Sequence, residues 1–426
     1  MTSIPDEVAA GLESLVSPYG VVAGLIRGAA PRGLHRLSLR GASVGGPRAL
    51  SGAGRAMDAP STARLIAIAE AAERYAGTDF PDPTETWAIA ADLSGPVLDL
   101  DAIPRCSARE YATGRCPFAP FDPAAPMRWL RGLDLATGEP TWLPAVMARY
   151  TMPDATRAES FWFRISTGYA LHFDPTEALL RGLHEVVERD AIALTWHQML
   201  PLRPLVVDEP SEALRALLDW GDRHFVETYL FDATTDVGVP TVYCLQTADH
   251  DERCAQFVGC GTGRTLLEAA EKALLEAVPG RSLLATDEPV KEDLADHSTV
   301  LDGARYMAAR HRREAFDFLL AGAGARAVSR SDRGPVLPDD SGAALTALVG
   351  DLASKGMQVL AVDRTTRELA TAGLSAVSVV VPALQPMSLL PYGQFRAHPR
   401  LYAAPELMGF RSRTEKELNP WPQPFA

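Results

Sequence analysis

Two segments of the chain carry a pair of glutamates followed by an arginine at identical spacing: EAAER at 70–74 and EVVER at 185–189. Both lie in apolar, helix-like text, and in Ala63–Ala76 only five of fourteen residues are polar. Residues i and i+3 share a helix face, so each pair presents its carboxylates together. Burying like charges requires a cation, and Mg²⁺ takes carboxylate oxygens together with phosphate oxygens. The spacing therefore predicts two carboxylate pairs that converge on a metal-bound polyphosphate. The alternative is two amphipathic helices whose charges face solvent.

Composition narrows the range of partners. The chain has 426 residues, 47% of them hydrophobic, which is enough for a large core. It carries 41 Lys and Arg against 54 Asp and Glu, a formal charge of -13, so nonspecific attraction to nucleic acid or to an anionic membrane is not expected. The five cysteines have neither zinc-finger spacing nor an even disulfide framework, and we expect reduced thiols. No signal peptide or membrane-spanning run is evident, so the expected location is the cytoplasm.

Strand-like and helix-like segments alternate throughout the chain, which predicts one intertwined α+β unit. Hydrophobic periodicity and turn residues indicate the following elements: strands at Gly20–Ile26 and His35–Arg40, a hairpin over Trp129–Tyr150, a helix from Asp174 to about Leu200, a helix over Arg264–Ala277, and a strand at Ala376–Val381. The glycines of Gly259–Gly263 lack the Walker and Rossmann fingerprints, and we interpret them as a plain turn.

The last eight residues, Asn419–Ala426, have proline at every second position. Such a segment is stiff and extended, and its prolines cannot donate backbone hydrogen bonds. A rigid end that carries aromatic residues predicts a tail inserted into the protein. Disorder is the alternative on composition alone.

Further motifs surround the acidic segments in a definite order: Ser166-Thr-Gly168, Glu177-Ala-Leu, Gly259-x-Gly261 with Glu276 and Arg281, Val379-Val-Val-Pro382, and the proline ladder. Together with the two ExxER helices they resemble the YcaO family, in particular its azoline-forming cyclodehydratases. The resemblance extends over nearly the whole chain. It implies a single large unit of mixed sheets and helices, with ATP and Mg²⁺ bound between acidic helices. Residues 1–50 would be a strand-rich start of the catalytic unit, 51–418 the ATP-binding catalytic domain, and 419–426 the tail.

The resemblance also implies roles for individual residues. Metal-bound phosphates would lie near Glu70, Glu73, Glu185 and Glu188. ATP would be contacted by Ser166, Arg74, Glu177, Arg189, Glu276 and Arg281. The tail prolines, Pro420, Pro422 and Pro424, would steer the terminal carboxylate of Ala426 toward the reaction centre, where it could move a proton. Glu268 and Glu271 are expected to be surface charges.

In the reaction that the family carries out, a Cys, Ser or Thr side chain of a ribosomal precursor peptide attacks the preceding carbonyl. ATP then phosphorylates the oxygen, and loss of phosphate leaves a thiazoline or oxazoline. The implied partners are the precursor peptide, a separate leader-binding protein of the E1-like type, a flavin dehydrogenase and a second copy of the chain.

Several positions depart from the family pattern: Ala53, Ile66, Thr167, Lys272 and Pro279. Lys is not equivalent to Arg at a bidentate site, so nucleotide binding could be altered. Two alternatives therefore stay open. One is another amide activation, giving a thioamide or a macrocyclic amidine, and the other is a non-catalytic scaffold subunit of a heterocyclase.

Overall fold

The computed structural model describes residues 4–46, 50–284, 286 and 288–425. Its strands, in chain order, are β1 (Val22–Gly28), β2 (Leu37–Val44), β3 (Ser51–Met57), β4 (Thr86–Ala88), β5 (Met127–Asp134), β6 (Pro140–Pro144), β7 (Tyr169–His172), β8 (Arg203–Val206), β9 (Glu227–Asp232), β10 (Thr241–Thr247), β11 (Gln256–Thr262), β12 (Ser329–Arg330), β13 (Leu360–Asp363) and β14 (Ser375–Val380). Its helices are α1 (Asp6–Ser14), α2 (Pro60–Ala76), α3 (Ala108–Ala112), α4 (Pro175–His197), α5 (Glu212–Arg223), α6 (Leu266–Leu284), α7 (Val300–Ala308), α8 (Asp317–Leu320), α9 (Ser341–Ser354), α10 (Arg367–Thr371) and α11 (Arg400–Leu407). No helix of the described residues is long and apolar enough to cross a bilayer.

The mixed architecture of sheets and helices confirms the predicted fold class. The chain, however, divides into two compact units rather than one. The first unit consists of Met1–Ile103, Ala119–Val186 and Asp340–Pro382, and the second of Pro104–Phe118, Val187–Asp339 and Ala383–Ala426. Segments of the two units alternate along the chain. The division is therefore not marked by a linker of distinctive composition that could be recognised in the sequence. The predicted boundaries at 50/51 and 418/419 stay predictions.

The first unit contains two antiparallel sheets. One is β1-β2-β3, and the other has the order β4-β5-β13-β14-β7 with β6 paired to β5. The pairing of Leu130 with Leu143 confirms the predicted hairpin. One apolar cluster, which includes Ile68 and Ala71 of α2, lies between α2 and the small sheet. Buried side chains of β5, such as Trp129 and Leu130, form a second cluster.

The second unit contains a sheet of order β11-β10-β9-β8-β12. Every residue of β10 and β11 is buried, and α6 packs on β11. The prediction of a plain turn at Gly259–Gly263 was wrong for its first glycines, because Gly259 and Gly261 are strand residues. A Cβ atom at Gly261 would lie 2.4 Å from the Ala269 carbonyl oxygen of α6. The glycines therefore let the helix backbone lie directly on the strand.

The same arrangement occurs in the first unit, where α2 packs on β3. Added Cβ atoms would lie 2.3 Å from the Ala71 nitrogen at Gly52 and 1.8 Å from the Ala63 oxygen at Gly54. Real side chains essentially never approach so closely. Close contact between α2 and β3 therefore depends on these two glycines.

We expect Gly54→Ala to force α2 away from β3 and to destabilise the protein by about 1–3 kcal/mol, the usual cost of overpacking a core. The measurement is the midpoint of thermal unfolding followed by circular dichroism. Gly350→Ala is the matched control, since a Cβ atom at this exposed position of α9 meets nothing within 4 Å. The control should leave the midpoint unchanged or raise it slightly. Equal midpoints for the two variants would contradict the prediction.

Candidate functional site

In the first unit, three predicted carboxylates and one predicted arginine come together. We call Glu70, Glu73, Glu185 and Arg74 the first acidic cluster. Arg74 bonds to the Oε1 atom of Glu73, and its Nη2 atom lies 3.1 Å from Oε1 of Glu70. The Glu73 side chain is only 18% exposed. The opposite face of helix α2 is buried through its alanines and Ile68. The alternative of a polar face open to solvent therefore does not describe Glu73, which is largely enclosed.

Backbone N–H groups also hold these carboxylates. The Ala53 N–H of β3 donates to Oε2 of Glu70 at 3.0 Å. The Gly168 N–H, which follows Ser166 in the turn before β7, donates to Oε2 of Glu185 at 3.2 Å. The backbone N–H groups of Ala53 and Gly168 therefore orient the carboxylates of α2 and α4. Ala53 departs from the family pattern, but this contact comes from its backbone and does not depend on its side chain.

The electrostatics of the first acidic cluster are unfavourable for one member. Burial, together with the charges of Glu185 and Glu70, raises the pKa of Glu73 to about 8 against the opposing effect of Arg74. Burial works against the charged form of Arg74, but Glu73, Glu70 and Glu185 outweigh it and raise the pKa of Arg74. Arg74 alone does not compensate the buried carboxylate, so the cluster favours a further cation.

A second acidic cluster lies in the second unit and consists of Glu188, Arg189 and Glu276. Arg189 Nη1 lies 2.6 Å from Oε1 of Glu188. Burial raises the pKa of the Cys260 thiol on β11, and the charges of Glu188 and Glu276 add to this effect. The charges of both carboxylates therefore act on Cys260. Helix α4 supplies Glu185 to the first acidic cluster and Glu188 to the second.

Two other predicted contacts to ATP are engaged elsewhere. Glu177 begins α4, about 12 Å along the helix from Glu185. Its carboxylate accepts hydrogen bonds from Arg181 at 2.8 Å and from the Ser341 hydroxyl at 2.5 Å. Arg281 is buried and bonds to the Cys254 carbonyl and to Asp251, at 3.3 Å from Oδ2. The roles of Glu177 and Arg281 stay predictions.

Two departures from the family pattern have visible structural consequences. The Lys272 ammonium donates to the Thr262 carbonyl at 2.8 Å and so ties α6 to the end of β11. Pro279 lies inside α6, which continues to Leu284 and is longer than the predicted helix ending at Ala277. A proline ring removes one backbone hydrogen bond, yet the flanking residues are buried and packing retains the helix.

A buried ion-pair network that was not predicted from the sequence lies at the second unit's end of α4. Arg400 of α11 binds Asp190 through both carboxylate oxygens, at 2.6 and 2.7 Å, and Asp236 at 2.9 Å. Asp190 also accepts the Gln385 N–H at 2.8 Å. Asp190 follows the EVVER segment directly, so its position could have marked it as a candidate member of the network. Nothing near Arg400 in the sequence suggests that Asp190 is its partner.

Five of the seven described tail residues, which end at Phe425, are buried in the second unit, as predicted for an inserted tail. The Trp196 indole N–H of α4 donates to the Trp421 carbonyl at 3.1 Å. The Asn419 N–H donates to the His197 carbonyl at 2.9 Å, and the Phe425 ring packs edge-on against Tyr243 at 5.4 Å. Pro420 is exposed, whereas Pro422 and Pro424 are buried. Ala426, predicted to carry the catalytic carboxylate, lies outside the described residues.

The pKa of Glu73 makes stability depend on pH. Between about pH 4.5, where the unfolded carboxyl ionises, and pH 8, where the folded one does, the folded state holds one more proton. Stability therefore falls as pH rises through this window. We expect Glu73→Gln to abolish this loss and, with EDTA present, to be more stable than the parent at pH 9 by roughly 2 kcal/mol.

The measurement is urea unfolding followed by tryptophan fluorescence at pH 4.5, 6 and 9. Glu139→Gln in the β5–β6 turn is the control, because Glu139 is exposed and should behave like the parent. If Glu73→Gln lost stability with pH as steeply as the parent does, the electrostatic interpretation of the cluster would be wrong.

The tail needs a glycine on α7. A Cβ atom at Gly303 would lie 2.4 Å from the Gln423 carbonyl oxygen, whereas one at Gly324 would meet nothing within 4 Å. We expect Gly303→Ala to displace the tail and to increase hydrogen exchange in residues 419–425 by about tenfold or more, because local opening governs exchange. Gly324→Ala is the matched control. Unchanged hydrogen-exchange protection of the tail in Gly303→Ala would show that the close approach of Gly303 to Gln423 is not needed to keep the tail in place.

Comparison with known proteins places this arrangement in context. Residues 53–385 match the family described as "YcaO cyclodehydratase, ATP-ad Mg2+-binding". An uncharacterized protein from the tfuA 3′ region of Rhizobium leguminosarum bv. trifolii is 30% identical over 199 residues, which are 43% of this chain and 43% of that protein.

Solved structures share the fold. A heterocyclase in complex with substrate and cofactor superposes with a TM-score of 0.83 at 22% identity, covering 99% of this chain and 57% of that one. For the heterocyclase TruD the TM-score is 0.70 at 20% identity, with 100% and 55% covered. For YcaO from Methanopyrus kandleri bound with AMPPCP and Mg²⁺ it is 0.66 at 18% identity, with 90% and 92% covered. The chain thus spans less than three fifths of the first two proteins. Since the family match includes both ExxER helices, the glycine strand β11 and the Val379–Pro382 segment, the chain belongs to the YcaO family.

Proposed function

We propose that the chain is an ATP- and Mg²⁺-dependent cyclodehydratase that converts Cys, Ser or Thr of a ribosomal precursor peptide to a thiazoline or oxazoline. The observation that carries this proposal is the first acidic cluster, in which Glu70, Glu73 and Glu185 are held together although one of them is buried and poorly compensated. The family description, which includes ATP and Mg²⁺, supports it.

The residues present fit a magnesium ion that is completed by its substrate. Among the described residues, no group of three or more His, Cys, Asp or Glu side chains is placed to hold a metal ion, so a bound ion would need ligands from outside the protein. Mg²⁺ usually takes one or two carboxylates and fills its shell with water and phosphate oxygens. Glu70, Glu73 and Glu185 of the first acidic cluster would supply the carboxylates. The predicted roles of Glu188 as a metal ligand and of Glu276 as a contact to ATP are kept as parts of the proposal.

The reaction requires little covalent chemistry from the protein. ATP, when bound, supplies the phosphoryl group that turns the amide oxygen into a phosphate leaving group. The residues of the chain position the reactants and neutralise charge that develops in the transition state. Arg74 and Arg189 suit this role, since a guanidinium binds carboxylate and phosphate oxygens in the same forked geometry. A proton acceptor from the tail, at Ala426, is part of the proposal.

Two other functions remain candidates. Thioamide or macrocyclic amidine formation would use the same amide activation, and the proline-rich tail is the feature that favours azolines. A non-catalytic scaffold is motivated by the departures at Ala53, Ile66, Thr167, Lys272 and Pro279. We also propose a leader-binding partner protein, a flavin dehydrogenase, assembly as a homodimer and a cytoplasmic location.

We expect Glu188→Gln to abolish ATP turnover without unfolding the chain, because the amide keeps the shape of the side chain but removes the charge that binds the metal. The same result is expected for Glu185→Gln. Phosphate release in the presence of Mg·ATP and peptide measures turnover, and titration calorimetry with Mg·ATP measures binding. Circular dichroism checks the fold.

Glu268→Gln is the matched control, since Glu268 is an exposed residue of α6 that accepts the Arg264 backbone N–H at 2.9 Å and is not a predicted ligand of the metal or of ATP. It should retain turnover. Turnover by Glu188→Gln equal to that of the parent would refute the site assignment, and a parent chain that binds no Mg·ATP would favour the scaffold. Loss of azoline formation in Gly303→Ala, with Gly324→Ala unaffected, would support a catalytic tail.

A further inference from the structure

The second unit contains a cavity of about 260 Å³ beside the tail. One wall is formed by Pro420, Trp421 and Pro422. Its size is below the range of about 300–1,000 Å³ that is typical of small-molecule sites. A cavity of this size matches one or two side chains of an extended peptide better than it matches a whole nucleotide.

Three cations line this cavity: Arg109, Arg396 and Lys416. Arg109 and Lys416 are exposed and Arg396 is half-buried. None of the three forms a salt bridge with a carboxylate of the described residues. A grouping of this kind stands out in a chain whose formal charge is -13. Glu110 and Glu415 also line the cavity, so the formal charge of its lining is +1, and this local excess of positive charge attracts anions.

The two carboxylates in the lining are already engaged. Glu110 accepts the backbone N–H groups of Ser107 at 2.7 Å, Gln394 at 2.5 Å and Arg396 at 2.9 Å. Glu415 accepts the Ser107 hydroxyl at 2.5 Å. Their oxygens hold the loops of the second unit together, which leaves the cations to bind a ligand.

The tail wall cannot bind an anion through its backbone. Pro420 and Pro422 have no N–H group, and the Trp421 N–H donates to Oδ1 of Asn419 at 3.1 Å. Phosphate sites usually depend on converging backbone N–H groups, and this wall offers none at 420–422. It offers flat apolar surface instead, extended by the Tyr392 ring, whose hydroxyl accepts a hydrogen bond from Arg115 at 2.8 Å.

We propose that this cavity binds an acidic residue of the peptide substrate, together with a neighbouring apolar side chain that packs on Trp421 and Tyr392. The proposal rests on the proposed function in taking the substrate to be a peptide. Arg396 binds the carboxylate inside the cavity, and Arg109 and Lys416 attract it at the rim. The cavity therefore selects precursor peptides that carry acidic residues.

The probes are two fluorescein-labelled decapeptides that each contain one cysteine and one leucine, with two aspartates in one peptide and two asparagines in the other. Fluorescence anisotropy measures their affinity for the full chain at 50 and 300 mM salt. We compare the parent with the double variant Arg109→Glu/Lys416→Glu. The double variant Arg223→Glu/Arg333→Glu is the control, because it makes the same change in net charge at exposed positions outside the cavity.

We expect the aspartate peptide to bind more tightly than the asparagine peptide, more so at low salt. Its affinity should fall about tenfold or more in Arg109→Glu/Lys416→Glu and stay within about twofold in the control. The proposal is overturned if the parent does not bind the aspartate peptide, if the two peptides bind equally, or if both double variants lose affinity alike.

ATP consumption and azoline formation, measured for the parent and for the same variants, separate this proposal from the proposed function. Charge-dependent peptide binding by a parent that never consumes ATP would support the cavity proposal and refute the cyclodehydratase. ATP-dependent azoline formation that is indifferent to Arg109→Glu/Lys416→Glu would do the reverse.

Discussion

The first unit depends on one constraint, which is that it must hold several carboxylates close together in a largely buried position. Glu70, Glu73 and Glu185 cannot lie near one another without donors that offset their repulsion, and Arg74 meets only part of that need. Backbone N–H groups of Ala53 and Gly168 supply part of the rest. The small sheet and the turn before β7 therefore do more than cover a core, because they point donors at carboxylates that the helices alone could not hold.

That arrangement is possible because helix backbones lie directly on strands. Gly52 and Gly54 allow it for α2 on β3, and Gly259 and Gly261 for α6 on β11. A side chain at any of these positions would occupy the space of a helix backbone atom. The same solution thus appears once in each unit. It brings a strand N–H within reach of Glu70, and it places the Cys260 segment of β11 beside Glu188 and Glu276.

In the second unit, buried polar contacts fix the chain where apolar packing alone would leave it free to shift. Arg400 holds Asp190 of α4 and Asp236 in one network, and breaking a buried network of this kind is costly. Next to it the tail is held through Trp196, the His197 carbonyl and the close approach to Gly303. A tail that is seated this firmly forms a stable wall for the adjacent cavity.

Local sequence patterns determined much of this protein. The ExxER helices, the β5–β6 hairpin, strand β14 and the buried tail all follow from periodicity, turn residues and proline spacing, which are properties of neighbouring residues. Tertiary structure alone decided that Gly259 and Gly261 would be strand, that α6 would continue past Pro279, and that Asp190 would meet Arg400. It also decided that Glu110 and Glu415 would accept hydrogen bonds inside the second unit. Those outcomes depend on contacts between residues far apart in the chain, and no short-range pattern encodes which distant group fills a given space or satisfies a given charge.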